Sequence, residues 1–368
     1  MRINFFKLFL LITLLVMSSG SLLAQYTWTK YTGNPVIPSG PSGSWYRGVI
    51  TPCVLYNADS LRYEMWFAGS PTTTGLRPHR IGFAYSSDGI SWQVRTSAVL
   101  EPRSGNWDNY TVNAPYVIRE NNQYKMWYTA EGPNYTTFKI GYATSPDGIN
   151  WTRLDNPIMD AGTAEWEAQG VGICSVLPVT GGYKMWYSGL AGSTDTISIG
   201  YAVSTDGINW QRDTVHNPVL RPGTAGQWDD FNIFAPRVII LDNVYYMYYG
   251  ASRQTFAQYR VGLATSTDGI NWEKYWDNPV LRPSLSGWDN GEVETACVIK
   301  IGNTLKLWYD ASNSGTYHWQ IGLATSTYYP NALAPEHTLL ALEETSQQFR
   351  MHLINLKQME LQATLLSN

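Results

Sequence analysis

The chain has 368 residues, of which only 15 % are charged, and a formal net charge of −4, while its 16 Trp and 25 Tyr are many for this length. The sequence contains no run of Lys or Arg, which argues against a nucleic-acid partner, because such partners are bound through clusters of basic side chains. A weakly charged, aromatic-rich composition favours an all-β fold and sugar binding over a helical enzyme.

The N-terminus has the features of a secretory signal peptide. Arg2 and Lys7 precede an apolar run from Leu8 to Val16, and small residues follow as far as Ala24. The apolar run is too short for a membrane-spanning helix, which needs about 20 residues. We therefore expect residues 1–24 to be removed. The loss of Arg2 and Lys7 changes the net charge from −4 to −6 and leaves a secreted or periplasmic protein without a membrane span.

A repeat of about 60 residues fills most of the remaining chain. The strand motif that reads YEMWF in its first copy has five copies, centred at steps of 61, 59, 62 and 60 residues on Met65, Met126, Met185, Met247 and Leu307. Each copy has one β-rich segment before this motif and another after it, and four copies continue into DGISW or DGINW. Asp-Gly pairs are strong hairpin signals. Four antiparallel strands per repeat predict an all-β, five-bladed β-propeller.

The two ends of the repeat region complement each other. The last copy stops at ATSTYYP without a DGINW strand, and the segment YTWTKYTGNPVI near the N-terminus resembles that missing piece. We therefore expect residues 25–44 to complete the last blade and close the ring, which removes an exposed sheet edge. The predicted segments are the signal peptide (1–24), the propeller (25–330) and a C-terminal tail of helix-forming composition (331–368).

The three cysteines, Cys53, Cys174 and Cys297, fall at nearly the same place in the repeat, on a predicted buried strand. We expect them to be small buried side chains. The alternative is a bridge from Cys53 to Cys297 between neighbouring blades. No metal site is predicted, because the cysteines have no supporting ligand cluster, and no cofactor is predicted. A structural cation in the central channel remains an alternative.

Acids that recur from copy to copy are interpreted as scaffold. The Asp-Gly turns resemble the structural Asp-box turns of sialidase-type propellers, and we expect each Asp to cap its own turn; these are Asp88, Asp147, Asp206 and Asp268. A second set follows a Trp in four copies and consists of Asp108, Glu167, Asp229 and Asp289. Function is therefore expected at the opposite rim, in residues that break the repeat.

Three acids break the repeat and are the predicted catalytic residues: Glu292, Glu294 and Asp230. Glu292 and Glu294 are two residues apart on one strand, so their side chains point the same way, roughly 6.5 Å apart. Mutual repulsion would raise the pKa of one carboxyl and make it a general acid. Asp230 would supply the second carboxylate that sugar hydrolysis requires. The alternative is that these acids pair with Arg47 or Arg237, or bind an ion in the channel.

Other unshared side chains at the same rim are predicted to bind substrate. They are Trp45, Arg47, Asn113, Glu131, Gln169, Asn232, Arg253, Asp310 and His318.

The repeat copies, the NPVI and NPVL segments, MWY and IGYATSxDGINW resemble the five-bladed glycoside hydrolase superfamily. That group includes arabinanases, β-xylosidases, invertase-like fructosidases and mannoside phosphorylases, and the likeness covers residues 26–330. In the arabinanase and invertase branches an Asp commonly precedes the Pro of the first strand; the corresponding residues here are Thr51, Ala114, Ile173, Ala235 and Thr295. The phosphorylase branch has a Glu-Asp-Pro-Arg run, of which the segment ETAC retains only Glu294.

Three functions are compatible with these patterns. The first is a secreted glycoside hydrolase-like enzyme that acts on an oligo- or polysaccharide at one central pocket. The second is a non-catalytic carbohydrate-binding propeller, and the third is a protein-interaction scaffold. Rim residues that differ from blade to blade favour one asymmetric site over several equal lectin sites. The sequence therefore predicts glycan processing, with replacement of Glu294 by Gln expected to abolish hydrolysis.

Overall fold

The computed structural model describes residues 27–75, 77–132, 137–194, 196–253 and 259–328, so the predicted signal peptide and the whole predicted tail lie outside the described residues. Within these ranges the chain forms twenty β-strands and one short 3₁₀ turn, Glu165–Glu167. The all-β prediction is confirmed. Among the described segments there is no helix with the length and apolarity needed to cross a bilayer.

The strands follow the sequence repeat, and the two-residue strand at the N-terminus, β1, is Thr29–Lys30. Unit 1 contains β2 Gly48–Asn57, β3 Arg62–Ser70, β4 Arg80–Ser86 and β5 Gln93–Val94. Unit 2 contains β6 Thr111–Glu120, β7 Gln123–Glu131, β8 Phe138–Ser145 and β9 Thr152–Arg153. Unit 3 contains β10 Gly170–Val179, β11 Gly182–Leu190, β12 Ile197–Ser204 and β13 Gln211–Arg212. Unit 4 contains β14 Asn232–Leu241, β15 Val244–Ser252, β16 Arg260–Ser266 and β17 Glu273–Lys274. Unit 5 contains β18 Glu292–Ile301, β19 Thr304–Ser312 and β20 Gln320–Thr327.

Neighbouring strands within each unit pair antiparallel. Units 1 and 4 are separate four-stranded sheets, and units 2 and 3 are joined by one parallel bridge between Gly170 and Phe138. Unit 5 has only three strands of its own, and β1 is the fourth, with Thr29 opposite Thr325 and Lys30 opposite Ala324. The expected pairing of the N-terminal segment with the last unit is therefore observed.

A buried tryptophan on the second strand of four units bonds to the next unit. Trp66, for example, is fully buried and its indole N–H donates to the carbonyl of Gly148, 2.8 Å away. The other three bonds of this kind join Trp127 to Gly207, Trp186 to Gly269 and Trp308 to Gly89. Unit 4 has Tyr248 at this position, and the unit that follows it, unit 5, lacks the Asp-Gly turn. Tyr248 packs against Trp28 instead.

Both sets of recurring acids are structural. In the second unit the Asp147 carboxylate accepts hydrogen bonds from the backbone N–H groups of Ile149 and Asn150, which hold its pKa well below its ordinary value against a partial desolvation. The acids that follow a Trp are buried and pair with a cation on the outermost strand of the same unit. These pairs are Asp108 with Arg153, Glu167 with Arg212, Asp229 with Lys274 and Asp289 with Lys30.

A β-bulge interrupts each first strand near the cavity described below. In four units the bulge contains a residue with positive φ: Thr51, Ala114, Ile173 and Ala235, at 51°, 45°, 37° and 51°. A left-handed backbone is costly for side chains of these types. Side-chain acceptors of the neighbouring unit help to hold it, since Asp310 bonds the N–H of Thr51 and Thr129 bonds that of Ile173.

All three cysteines are buried free thiols, which confirms the first interpretation; the alternative bridge is not formed.

Candidate functional site

A cavity with a volume of about 840 Å³ lies where the first strands of the five units meet. Each of these strands, β2, β6, β10, β14 and β18, contributes lining residues. The loops between the second and third strands form further parts of the wall. One asymmetric cavity at this position agrees with the expectation that function lies in residues that break the repeat.

Glu294 on β18 is the only carboxylic acid among the described residues that line the cavity. Its side chain is partly exposed to the cavity but surrounded by protein. Desolvation raises its pKa well above the ordinary value, and the negative charges of Asp310 and Glu292 add to this effect. The raised pKa favours the protonated carboxyl of Glu294, which is the form that a general acid needs.

Asp310 lies directly behind this wall and is fully buried. Its carboxylate accepts hydrogen bonds from the N–H of Thr51 at 2.7 Å, and from the N–H and hydroxyl of Thr295 at 2.6 and 2.9 Å. Burial raises its pKa to about 6 in spite of these bonds. Asp310 thus fixes the backbone on either side of the cavity wall, which differs from the predicted direct role in substrate binding.

His79 and Asn113 form a polar pair on another side of the cavity. His79 Nε2 lies 2.7 Å from the carbonyl oxygen of Gly75, so this nitrogen donates and Nδ1 accepts, with Asn113 Nδ2 at 3.5 Å. Burial lowers the pKa of His79 to about 4, so the ring is neutral. The Asn113 side-chain oxygen has no described protein partner and is available to a ligand.

Asn232 on β14 offers the complementary group. Its side-chain oxygen accepts the N–H of Ile197 at 2.7 Å, while its NH₂ group has no described partner. Asn113 and Asn232 both line the cavity, and their unpartnered atoms are one acceptor and one donor, which are the groups that pair with a sugar hydroxyl.

Aromatic side chains cover much of the remaining wall. They come from loops and strand ends of several units and are Tyr110, Phe138, Phe234, Tyr259 and Trp319. Flat apolar surfaces beside a few fixed polar groups are typical of small-ligand sites, and the apolar faces of sugar rings stack on such surfaces.

Glu131 at the end of β7 pairs with Arg77, whose Nη1 lies 2.7 Å from the carboxylate. Arg77 lines the cavity and also lies over the Phe138 ring, whereas Glu131 is buried behind it. Burial raises the pKa of Glu131 to about 7, and the charge of Arg77 opposes this shift. Glu131 therefore orients Arg77, and contact with substrate would be made by Arg77.

The other two predicted catalytic acids lie outside the cavity lining. Glu292 is buried on β18 and raises the pKa of Glu294 from there. Asp230 accepts the backbone N–H of Gly226 at 2.6 Å and stabilises its own loop. Glu292 and Glu294 are thus brought close together, and Asp230 is not brought to them.

Five predicted binding residues also lie outside the lining of the cavity. Trp45 packs against Phe67 and donates to the carbonyl of Thr96, so it is part of the core of unit 1. The N–H of His318 donates to the Asn313 side chain within its own loop. Arg253 is exposed, and Arg47 and Gln169 are partly buried.

The cavity residues that the sequence did not single out lie mainly in connecting loops. Tyr259 and Trp319 directly precede third strands, at the repeat position of His79 and Phe138, and Tyr110 directly precedes β6. Arg77 lies in the loop between β3 and β4. An alignment of first strands alone does not include the positions before third strands. The sequence feature that could have identified these residues is the concentration of aromatic and basic side chains at one rim.

Comparisons with known proteins support the predicted relationship. The family model of β-1,4-mannooligosaccharide phosphorylases, glycoside hydrolase family 130, matches residues 72–157. A Thermoanaerobacter 1,2-β-oligomannan phosphorylase is 30% identical over 203 residues, which are 53% of this chain and 62% of that protein. An uncharacterised Mycobacterium tuberculosis protein is 33% identical over 135 residues, 36% of this chain and 44% of that one. The chain thus matches about half the length of these relatives.

Solved structures of glycoside hydrolases have the same fold. One of them superimposes with a TM-score of 0.66 at 21% identity, covering 80% of this chain and 91% of the other. Another comes from a study of the mannoside phosphorylase family that contains glycoside hydrolases targeting β-1,2 mannosidic linkages in Candida mannan; its TM-score is 0.63 at 19% identity, over 84% and 96% of the two chains. The described residues accordingly share the fold of these glycoside hydrolases, and residues 72–157 are similar to the mannoside phosphorylase family.

Proposed function

We propose that this protein is a glycan-processing enzyme that cleaves a glycosidic bond in the 840 Å³ cavity, with mannosides as the first substrates to test. The single observation that carries the proposal is Glu294, a carboxyl that lines the cavity and whose pKa is raised by desolvation. Glycosidic cleavage needs such an acid to protonate the leaving oxygen. Asn113 and Asn232 bind sugar hydroxyls, and the aromatic wall stacks on the sugar ring.

The five units are proposed to form a five-bladed propeller closed by β1, with the cavity at its centre. The first strands contact one another in the order β2, β6, β10, β14, β18 and again β2. The Trp308 bond to Gly89 joins unit 5 to unit 1, and Lys30 on β1 supplies unit 5 with the cation that the other units take from their own outer strand. The signal-like N-terminus further supports secretion, which N-terminal sequencing of the mature protein would test at Gln25.

Water is proposed as the acceptor of the cleaved glycosyl group, in preference to phosphate. A phosphate dianion is bound through cations and several N–H donors. Among the described lining residues Arg77 is the one permanent cation, and Glu131 already neutralises it. His79 is neutral, and the acidic Glu294 would repel the dianion on ionisation. Hydrolysis needs no such cations.

The second candidate function is sugar binding without cleavage. It is favoured by one observation, namely that Glu294 has no carboxylate partner among the described residues of the lining, whereas most glycosidases use two carboxyl groups. Calorimetric titration of the wild type with oligosaccharides, combined with product analysis, distinguishes this function from catalysis. One binding site whose affinity is the same before and after prolonged incubation, with no cleavage product, would establish binding alone.

The decisive experiment compares Glu294→Gln with Glu101→Gln, an exposed surface control. β-Mannooligosaccharides and aryl β-mannosides are incubated with and without phosphate, and free mannose and mannose 1-phosphate are measured. We expect E294Q to lower kcat on oligosaccharides by about 10²- to 10⁴-fold, the range of general acid catalysis. The loss should be smaller on nitrophenyl mannosides, because their leaving group needs no proton.

Wild-type activity should produce mannose at the same rate with and without phosphate. Full activity of E294Q on oligosaccharides would remove Glu294 from the mechanism. Phosphate-dependent formation of mannose 1-phosphate would instead identify a phosphorylase.

A further inference from the structure

Five aligned residues form a layer across the first strands, two positions after the bulge residues. They are Cys53, Tyr116, Ser175, Arg237 and Cys297. None of them belongs to the cavity lining, so this set, here called the central layer, lies further along the same strands than the cavity. Cys53, Arg237 and Cys297 are almost completely buried, at 2%, 2% and 6% exposure.

Small side chains of the central layer accept backbone N–H groups from the next unit. Cys297 Sγ lies 3.1 Å from the N–H nitrogen of Val54, and Cys53 Sγ lies 3.2 Å from that of Val117. Ser175 makes the same contact with Val238 at 3.0 Å. The two sulfur atoms are thus fixed on neighbouring strands, β18 and β2, which are in contact.

Arg237 brings a positive charge into this layer. Its guanidinium donates to the carbonyl oxygens of Cys174 and Pro115 and lies over the Tyr116 ring. In the part of the chain that the structure describes, it makes no ion pair with a carboxylate. A buried cation favours a negative counter-ion, and the charge of Arg237 lowers the pKa of the Cys53 thiol.

Cys53 is the thiol that these contacts stabilise as an anion. The neighbouring Cys297 thiol is the largest influence that lowers its pKa to about 7; burial opposes this shift, and the charge of Arg237 and the contact with Val117 add to it. The pKa of Cys297 is raised by its interaction with Cys53 and by burial. Cys174 lies one residue from the layer on β10, and burial raises its pKa to about 12.

We propose that Cys53 and Cys297 are a modification site, at which a hydroperoxide oxidises Cys53 and Cys297 then forms a disulfide with it. This inference does not depend on the proposed glycosidase activity. It follows from two buried thiols on the contacting strands β18 and β2, where Cys297 Sγ lies 3.1 Å from the N–H nitrogen of Val54, the residue that follows Cys53.

The reaction balances with a hydroperoxide as the oxidant. The Cys53 thiolate attacks a peroxide oxygen, the O–O bond breaks, and Cys53 becomes a sulfenic acid while hydroxide, or an alkoxide, leaves. Cys297 sulfur then attacks the Cys53 sulfur, the S–S bond forms, and the sulfenic oxygen leaves as water after accepting the thiol proton. The two thiols lose two electrons in total, and the peroxide gains them.

The product would link the two strands that carry part of the cavity wall. Thr51 lies two residues before Cys53 on β2, and Glu294 lies three residues before Cys297 on β18. The disulfide therefore ties these two sides of the cavity together.

The test uses the whole folded protein and hydrogen peroxide. After treatment the protein is denatured in excess N-ethylmaleimide and its mass and peptide map are measured. We expect a loss of two of the three thiols, a mass 2 Da below that of the reduced chain before alkylation, and one linked peptide that contains Cys53 and Cys297. Cys174 should carry the maleimide, and dithiothreitol should restore all three thiols.

Two variants assign the roles. Cys297→Ser should leave a sulfenic acid at Cys53 that reacts with dimedone, while Cys174→Ser should form the disulfide as wild type does. Three maleimide adducts on peroxide-treated wild type would overturn the proposal, and so would oxidation of Cys174 in preference to Cys53. The wild-type measurement alone can overturn the proposal, so the test remains valid even if a variant misfolds.

The pH dependence gives a further test. The ionisable groups around Cys53 are Cys297 on β18, Arg237 on β14, Tyr116 on β6 and Cys174 on β10, and of these only the Cys53 thiol has its pKa near neutrality. The reacting species is the thiolate. The rate of thiol loss should therefore rise about tenfold from pH 6 to pH 8, and a rate independent of pH over this range would contradict the thiolate mechanism.

Discussion

Acidic side chains in two environments of this fold have pKa values that are shifted in opposite directions. Exposed acids such as Asp147 accept backbone N–H groups in their turns, which lower the pKa. Glu294, Asp310 and Glu131 lie in the interior, where desolvation raises the pKa. A carboxyl side chain therefore favours its ionised form in these turns and its protonated form near the cavity.

Glu131 permits a direct test of this effect on stability. Its pKa is raised to about 7 in the folded protein from its ordinary value of 4.5, so between these values the folded state binds more protons than the unfolded state. The free energy of unfolding should then fall as pH rises through this window. Glu131→Gln removes this contribution, and the stability difference between wild type and E131Q should change by on the order of 1–3 kcal/mol from pH 5 to pH 8.

The measurement is urea unfolding of both proteins at pH 5, 6, 7 and 8. Wild type should lose stability relative to E131Q as the pH rises. A constant difference over the series would show that the Arg77 ion pair cancels the cost of burying the charge.

At this scale the sequence predicted part of the site and missed the rest for a physical reason. Glu294, Asn113 and Asn232 interrupt the repeat on first strands, where alignment places them without ambiguity. Arg77 lies on the loop between β3 and β4, and Trp319 directly precedes the third strand β20, so neither belongs to the first strands on which the prediction was based. Asp310 also interrupts the repeat, but its side chain turns into the wall to bond Thr51 and Thr295, a direction that spacing alone does not fix.

At the scale of elements, a recurring contact is the hydrogen bond from a tryptophan on the second strand of one unit to the Asp-Gly turn of the next unit. Gly148 shows it twice, because its carbonyl oxygen accepts Trp66 from unit 1 at 2.8 Å and Trp151 from its own unit at 3.0 Å. Trp66 is completely buried, and Trp151 is partly exposed. The two side chains therefore form a matched pair on one acceptor.

Trp66→Phe should destabilise the protein by about 2–4 kcal/mol, because it removes a buried hydrogen bond and leaves a void. Trp151→Phe should cost less than about 1 kcal/mol, since water can replace its bond. Denaturant unfolding of both variants measures the difference. Equal losses would show that the contact between units contributes no more than the turn's own bond.

Strand order and turn positions were predictable because the hairpin signals repeat, whereas the bulges were not. Thr51, Ala114, Ile173 and Ala235 are residue types that disfavour positive φ, and the sequence shows no glycine where the backbone turns left-handed. The conformation depends on acceptors of another unit, such as Asp310 and Thr129, so local propensity gives no indication of it.

For the whole molecule, the proposed ring depends on β1, a strand of only two residues. Its sequence matched the missing outer strand, and it carries Lys30 opposite the buried Asp289, with Nζ and the carboxylate 2.6 Å apart. Loss of this strand would leave Asp289 without its cation and β20 with an open edge. Closure of the proposed ring and neutralisation of the buried Asp289 therefore both require β1.

A disulfide across this junction tests closure directly. Thr29 and Thr325 are opposite each other in the register of β1 and β20, and Thr325 is partly exposed. The double variant Thr29→Cys, Thr325→Cys should oxidise spontaneously and gain roughly 2–4 kcal/mol of stability that reductant removes, because the bond closes a loop that contains all five units. The control, Thr29→Cys with Thr327→Cys, is two residues out of register and should remain reduced. If the control cross-links as readily as the paired variant, β1 is not held in this register and the ring is not closed by it.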